Sequence, residues 1–371
     1  MKKRFLFLYL KTGGGHISNA KALQEYMQEE YPQVDVVLGD GLEKSKVIKK
    51  ILEDGYAKMQ AKWQSFYEFL YACNKLFVVA KANQLLISEF TEQYVQQLIE
   101  KEHPTNIIIF HFFLIKPVQE VLAKLNLSIP VTTIVTDPFT APRLRFLEQK
   151  MNYIVYSEQA KQIAITEEIA SQNIKVFPSM LNKKFIHTFT EQESKAIKKK
   201  LGFSLDKKII LMLWWGDGMP KGEIILQECI DQNIDAHICI VCGKNKQLFK
   251  QIQSLQKAYP TKDISVYGFI DFVQELITVA DIVITKAGPA TLMEILYLGK
   301  VSVITSYLWE QEKWNVDYVL NNQVGIYEKD IKKMVKKVEE LLNTGLTFYQ
   351  DNIQKLGLQN GTPAIAEELM K

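Results

Sequence analysis

The 371-residue sequence has little of what marks several specialised classes of protein. Its four cysteines are too few for the disulfide framework of a secreted domain, which suits a reducing compartment. It has no excess of one charge, because 45 Lys and Arg against 42 Asp and Glu leave +3, so we expect no nucleic-acid partner. Long apolar runs are absent too. Those such as 5–10 have the length of a β-strand, well short of the ~20 residues that span a bilayer.

The first residues resemble the start of a secretion signal but lack its cleavage site. Three basic residues at 2–4 precede the apolar run 5–10, but that run ends at Lys11 with no cleavage site of small residues. We therefore predict a first β-strand here and a cytoplasmic protein.

Short apolar runs alternate with amphipathic helical patterns along most of the chain. The predicted strands form two series, the first at 4–10, 33–38, 106–112, 131–135 and 152–156, the second at 208–215, 236–242, 263–267, 281–285 and 301–305. Helical patterns fill most intervals, at 16–30, 114–125, 158–171, 221–232, 245–258, 271–280, 290–299 and 311–322. This alternation predicts α/β architecture with parallel sheets covered by helices on both faces.

A polar, Lys-rich stretch at 190–200 separates the two series and indicates a domain boundary. We expect two doubly wound, Rossmann-like domains that face each other across a cleft. The first covers 1–185 and the second 186–345, and a helical segment at 346–371 packs back on the first domain.

Residues 42–100 break the alternation of strands and helices, because they form a long predicted helical insert without a strand. Within it, residues 44–81 carry eight Lys against three acidic residues, together with aromatic residues that include Trp63, Phe66, Tyr67, Phe69, Tyr71 and Phe77. Basic and aromatic residues interleaved on helices can rest on an anionic membrane surface. Core helices with solvated lysines give the same composition, so both interpretations stay open.

A glycine-rich turn, Thr12-Gly13-Gly14-Gly15-His16, follows the first predicted strand and opens a helix. Glycines allow close approach of the backbone to a ligand, and a helix start offers free N–H groups. The turn is neither a Rossmann GxGxxG nor a P-loop. His16 suits a general base, and Asp137, after the strand at 131–135, is the rival base. A histidine that merely caps its own helix is the alternative.

A second turn, Ala287-Gly288-Pro289-Ala290-Thr291, follows the strand at 281–285 and opens another helix. Its N–H groups and hydroxyl can hold a diphosphate, and Glu294, one turn further on, can accept hydrogen bonds from both hydroxyls of a ribose. The alternative is a plain helix start, at which Glu294 is favourable to the helix dipole.

Further polar and small residues follow the other strands of the second series, at the same predicted sheet edge. Glu310, Gln311 and Glu312 open a helix and suit sugar hydroxyls or simple capping. The remaining candidates for the nucleotide pocket are Gly216, Asp217, Gly218, Gly243, Asn245, Gly268, Phe269 and Ile270.

Taken together, these motifs resemble those of the monogalactosyldiacylglycerol synthases and processive diacylglycerol glucosyltransferases. These are inverting GT-B glycosyltransferases related to the peptidoglycan GlcNAc-transferase. The resemblance lies in Gly-Gly-Gly-His at 13–16, Val-Thr-Asp-Pro at 135–138, Tyr-Gly-Phe-Ile at 267–270, the run 280–294, and Gln-Glu-x-x-Asn at 311–315. Where relatives often carry His-x-x-Trp, this chain has Arg143-Leu-Arg145-Phe146.

This resemblance implies transfer of a hexose from a UDP-sugar to a lipid hydroxyl, with diacylglycerol as the expected acceptor and a β-glycolipid as product. Backbone near Phe269 and Ile270 would read the uracil, Glu294 would hold the ribose, and Gln311 and Glu312 would meet the sugar. The UDP-sugar is a substrate, and no cofactor or metal is expected. The insert would rest on the inner face of the cell membrane.

Three alternatives stay open: a UDP-sugar transferase with another acceptor, a UDP-sugar 2-epimerase, and a catalytically weak protein that binds nucleotide sugars.

Overall fold

The computed structural model describes residues 3–11, 14–43, 77–139, 143–185, 189–214, 218–308 and 312–371. They form two compact units, which we call unit 1 (Met1–Lys183 with Asn360–Lys371) and unit 2 (Lys184–Gln359). Each unit contains a parallel sheet with flanking helices, which confirms the predicted α/β fold of two doubly wound domains.

The sheet of unit 1 has the strand order β2-β1-β3-β4-β5-β6, and all of its strand pairs are parallel. Its first strand carries Phe5, Leu6, Phe7 and Leu8, all fully buried, because helices cover both faces of a parallel sheet. The strands are β1 (Arg4–Tyr9), β2 (Asp35–Asp40), β3 (Asn106–Ile109), β4 (Val131–Ile134), β5 (Asn152–Val155) and β6 (Ile174–Val176). Between them lie the helices α1 (Gly14–Glu30), α2 (Phe77–Glu102), α3 (Ile115–Lys124) and α4 (Glu158–Thr166).

The sheet of unit 2 has the order β12-β11-β10-β7-β8-β9 and is also parallel throughout. Its strands are β7 (Ile209–Leu213), β8 (His237–Val241), β9 (Ile264–Tyr267), β10 (Ile282–Lys286), β11 (Val301–Ser306) and β12 (Gly325–Tyr327). Its helices are α5 (Glu191–Lys200), α6 (Gly222–Asp231), α7 (Lys246–Ala258), α8 (Val273–Val279), α9 (Pro289–Tyr297), α10 (Lys313–Asn321), α11 (Ile331–Glu340) and α12 (Leu346–Lys355). A π-helical turn, Leu341–Gly345, joins α11 to α12.

The predicted helical segment 346–371 is divided between the units, because α12 belongs to unit 2 and α13 (Thr362–Met370) belongs to unit 1. Ile365 and Ala366 of α13 are fully buried in the core beside α1. The chain enters α13 at Gly361, where a Cβ would lie 1.9 Å from the Pro178 carbonyl oxygen, so only glycine allows this approach.

The differences from the predicted elements are local. The strand predicted at 33–38 lies two residues later, because a turn bonds the Val34 N–H to the Tyr31 carbonyl before the strand begins. The short edge strands β6 and β12 were not predicted, since three residues at a sheet edge carry too little pattern. The described part of the predicted insert is helix α2, and the rest of that insert, 44–76, lies outside the described residues.

The strand orders define where each sheet can bind a ligand. In unit 1 the chain direction of the connections reverses between β1 and β3, and in unit 2 it reverses between β7 and β10. Loops that leave two such strands diverge and open a crevice at the carboxyl edge. The glycine-rich turn before His16 follows β1, and the turn 287–291 follows β10, so both lie at a switch point. Within the described ranges, no helix has the length and apolar character needed to cross a membrane.

Candidate functional site

The turn that joins β10 to α9 is held rigidly from the neighbouring loop. The Ala287 N–H donates to the Ser306 carbonyl at 3.0 Å, and the Asn315 amide donates to the Ala287 carbonyl at 2.7 Å. These two bonds tie the turn to the end of β11 and to α10, and so they fix the direction in which α9 starts.

The start of α9 is open towards ligands. Gly288 is its N-cap residue and makes no side-chain cap, and Pro289 supplies no N–H, so the first-turn N–H groups of Ala290 and Thr291 have no intrahelical acceptor. Such groups, with the positive end of the helix dipole, form a binding site for phosphate.

Glu294 lies one turn further along α9 and is partly buried. Its carboxylate has no partner among the described residues, and desolvation raises its pKa to about 8. A carboxyl group that is desolvated without a partner is costly in the free protein, and it gains hydrogen bonds when a ligand brings hydroxyl donors.

Glu312, at the N-cap of α10, differs from Glu294 because both of its carboxylate oxygens already bind groups of the protein. Its Oε1 lies 3.0 Å from the Lys286 ammonium, and its Oε2 accepts from the Leu308 N–H at 2.8 Å. The Lys286 ammonium lies 5.9 Å from the centre of the Trp214 ring, at the end of β7. The pair thus links the loops that follow β7, β10 and β11, and contact of Glu312 with a sugar would compete with it.

The candidates after β7, β8 and β9 differ in whether the protein itself already uses them. Gly218 adopts φ +73°, and a Cβ there would lie 2.6 Å from the Cys242 carbonyl oxygen, so its close approach is to the protein itself. Asn245 caps α7 by accepting from the Leu248 N–H at 2.9 Å. Phe269 is 65% exposed, with the Lys244 ammonium 5.6 Å from its ring centre.

For the remaining predicted site residues of unit 2, the structure gives a position or a backbone angle, or does not describe the residue. Gly243 takes a left-handed φ of +55°, and Gly268 and Ile270 are partly buried at the same edge. Gly216, Asp217, Glu310 and Gln311 lie outside the described residues.

In unit 1, His16 occupies the first turn of α1, at the switch point of the sheet, and is 9% exposed. Its Nδ1 lies 3.0 Å from the Thr136 hydroxyl, and its ring meets the His111 ring edge-to-face at 4.7 Å. Burial, followed by the positive charge of Arg145, lowers its pKa to about 4, against the opposing effect of Asp137. His16 is therefore neutral at pH 7, as a proton acceptor must be.

The rival base, Asp137, is paired. Arg145 Nη2 lies 2.6 Å from Asp137 Oδ2, and both side chains are about nine-tenths buried. The Arg145 guanidinium also lies 4.5 Å above the centre of the Phe112 ring.

Gly14 and Gly15, the two predicted site glycines before His16, differ in their surroundings. The Gly15 carbonyl accepts from Asn19 Nδ2 at 2.8 Å and from Ser18 Oγ at 3.0 Å, and Tyr156 in turn donates to Asn19 Oδ1 at 2.6 Å. A Cβ on Gly15 would meet nothing within 4 Å, so the turn leaves open space there. Gly14 is the first residue of α1.

Sequence reasoning missed Lys286, Thr136 and the role of Arg145. Lys286 stands inside the recognised run 280–294, and Thr136 stands directly before Asp137. Arg145 stands eight residues after Asp137, on the turn Arg143–Phe146.

Two family models match the chain. The model described as "Glycosyltransferase family 28 C-terminal domain" matches residues 219–369, and the model described as "Monogalactosyldiacylglycerol (MGDG) synthase" matches residues 16–178. The processive diacylglycerol β-glucosyltransferase of Bacillus licheniformis is 26% identical over 372 residues, covering 100% of this chain and 95% of that relative.

Solved structures share the fold. The MurG protein of Acinetobacter baumannii superposes with a TM-score of 0.63 at 12% identity, covering 99% of each chain. The Anabaena protein Alr3699/HepE, solved with UDP, superposes with a TM-score of 0.56 at 15% identity, covering 100% of this chain and 98% of that one.

Fold and family matches therefore define an enzyme, a glycosyltransferase of the GT-B fold. The matched N-terminal model and the full-length relative confirm the predicted relationship to the monogalactosyldiacylglycerol synthases and processive diacylglycerol glucosyltransferases.

The Lys286–Glu312 pair gives a stability prediction. Glu312→Gln leaves the partly buried Lys286 ammonium without a counter-charge and removes a charge-assisted hydrogen bond, which contributes about 1.5–3 kcal/mol. Urea unfolding should show a loss of this size for unit 2.

Asp317→Asn is the matched control on the same helix, because Asp317 pairs with the exposed Lys313. It should cost at most about 1 kcal/mol. Equally small losses of unfolding free energy in both variants would show that the Lys286–Glu312 pair does not stabilise the loops.

Proposed function

We propose that this glycosyltransferase moves a hexose from a UDP-sugar to the hydroxyl of diacylglycerol, forming a β-glycolipid with inversion. The observation that carries the proposal is the start of α9 at the switch point of the sheet. Open N–H groups are followed there by the Glu294 carboxylate, which has no partner among the described residues. The named activity of the Bacillus relative and the UDP complex of the Anabaena neighbour support it.

In this proposal, unit 2 holds the donor. The diphosphate binds the N–H groups of Ala290 and Thr291, which offset its charge without a metal, and Glu294 accepts hydrogen bonds from the ribose hydroxyls. The exposed ring of Phe269, with Ile270 beside it, lies at the same sheet edge and offers a surface for the uracil.

The reaction then needs a base for the acceptor. The acceptor oxygen attacks the anomeric carbon, its proton passes to His16, and the bond between that carbon and UDP breaks with the electron pair leaving on the diphosphate. Displacement from the opposite face inverts the anomeric centre. The charge that develops on UDP meets the fixed dipole of α9, which is stabilisation without reorganisation.

The direct test supplies UDP-glucose, UDP-galactose and UDP-GlcNAc to the enzyme with diacylglycerol in mixed vesicles, with products read by mass spectrometry. One UDP-hexose should give a β-linked glycolipid, and His16→Asn should lower kcat by at least ~100-fold without changing UDP affinity. His103→Asn is the matched control, because His103 is exposed and carries a positive φ of 45°, which asparagine tolerates. Full turnover in His16→Asn would remove His16 from the reaction.

Glu294 makes donor affinity depend on pH. With a raised pKa of about 8, its carboxyl is largely protonated at pH 7 and becomes a better acceptor for the ribose hydroxyls as pH rises through 8. Calorimetry should show UDP binding that strengthens between pH 7 and 9.

In Glu294→Gln this pH dependence should vanish and affinity should fall about tenfold, since a hydrogen bond to a charged group contributes about 1.5–3 kcal/mol. Glu339→Gln, on an exposed site of α11, should behave like the parent enzyme. The same pH dependence in Glu294→Gln would contradict the assignment of the ribose to Glu294.

We further propose that residues 44–81 hold the enzyme on the anionic inner face of the cell membrane, from their lysine and aromatic composition. Replacing Lys46, Lys49 and Lys50 by Gln should weaken sedimentation with anionic vesicles by about 1 kcal/mol per lysine. Binding by the parent enzyme should fall with salt. The control replaces the exposed Lys332, Lys333 and Lys336 of α11. Equal losses in both triple variants would leave only a non-specific charge effect.

A further inference from the structure

Arg145 connects three loops at the carboxyl edge of the unit 1 sheet. It lies on a 3₁₀ turn, Arg143–Phe146, and is 8% exposed. Its guanidinium lies over Phe112, which follows β3, and pairs with Asp137, which follows β4. Its charge also acts on the rings of His16 and His111. One cation therefore pairs with Asp137 and acts on both His16 and His111.

We propose that Arg145 is a positioning residue that engages Asp137 as its permanent counter-charge and thereby leaves His16 as the general base. This inference rests on the proposed transfer reaction and deepens it, because it decides between the two candidate bases.

The pair argues against Asp137 as the base. A proton on the Asp137 carboxylate would leave the buried guanidinium of Arg145 without a counter-charge, and breaking such a pair on one side is strongly unfavourable. The Phe112 ring lies against the guanidinium of Arg145 and so helps to hold it beside Asp137.

The pair also sets the charge that His16 experiences. Arg145 disfavours the protonated ring and Asp137 favours it, and the neighbouring His111 is itself held neutral by burial. While both partners are present their effects on His16 oppose each other, and burial keeps the ring neutral. Removing one partner should therefore shift His16 in a direction that depends on which partner is lost.

The test follows the ring protons of His16 by NMR from pH 5 to 8, identified by their absence in His16→Gln, in the full-length enzyme without substrate. In the parent enzyme the ring should stay neutral across this range. In Arg145→Met the titration midpoint should rise by about 1–3 units into the range, because an opposing charge is removed and Asp137 is left uncompensated. In Asp137→Asn no titration should enter the range.

The double variant Arg145→Met with Asp137→Asn should return His16 to the neutral behaviour of the parent, since it leaves no unpaired charge. Arg145→Lys should do the same by keeping the charge, and Arg145→Gln replaces Arg145→Met if the latter does not fold. Arg143→Met is the matched control on the same turn, because Arg143 is exposed and pairs with Glu167.

The pH profile of kcat/KM gives the second readout. Arg145→Met should lose activity as pH falls through the new midpoint of His16, while Asp137→Asn should lose less than ~100-fold and show no such fall between pH 5 and 8. A His16 ring that titrates identically in all variants would overturn the inference. So would loss of turnover in Asp137→Asn by ~100-fold or more with UDP binding intact. Failure of the parent enzyme to bind UDP or transfer sugar would instead refute the proposed function, and the NMR result would still stand by itself.

Discussion

Each described strand in both sheets runs parallel to its neighbours, and the rest of the structure depends on this constraint. Parallel strands place all the loops that follow them at one edge, so residues far apart in sequence converge there without further design. In unit 1 this edge gathers His16, His111, Asp137 and Arg145. In unit 2 it gathers the start of α9 with Lys286 and Glu312. The strand order then selects the switch points as the places where loops diverge.

Within the described residues, each unit has an acid–base pair at its switch-point loops whose cation lies near an aromatic ring. The pair in unit 1 is buried and the pair in unit 2 is partly buried. Arg145 pairs with Asp137 over Phe112, and Lys286 pairs with Glu312 near Trp214. Within each pair the two charges neutralise each other, so neither is free to bind a ligand. Outside these pairs stand His16, which is neutral, and the Glu294 carboxyl, which has no partner among the described residues. The proposed function assigns a role in the reaction to each of these two groups.

The sequence predicted the order and type of the elements well, because long apolar strands and amphipathic helices carry strong patterns. It did not predict short elements, such as the edge strand Gly325–Tyr327, or the point at which the segment 346–371 passes from unit 2 to unit 1, close to the contact between Gly361 and Pro178. For the site, the motifs located the turns before His16 and after β10. They did not reveal that Glu312 is committed to Lys286 or that Asp137 is committed to Arg145, since partners 26 and 8 residues apart in sequence are chosen by the fold.

The carboxyl edge of the unit 2 sheet is the proposed binding site for the UDP moiety of the donor. Hydrogen–deuterium exchange with and without UDP tests this most directly, because exposed first-turn N–H groups exchange freely until a phosphate occupies them. The account predicts protection at the start of α9 and in the loops that follow β8 and β9, with none at the opposite edge, where β7 and β11 begin. Absence of protection at Ala290 and Thr291, or protection that is equal at both edges, would contradict it.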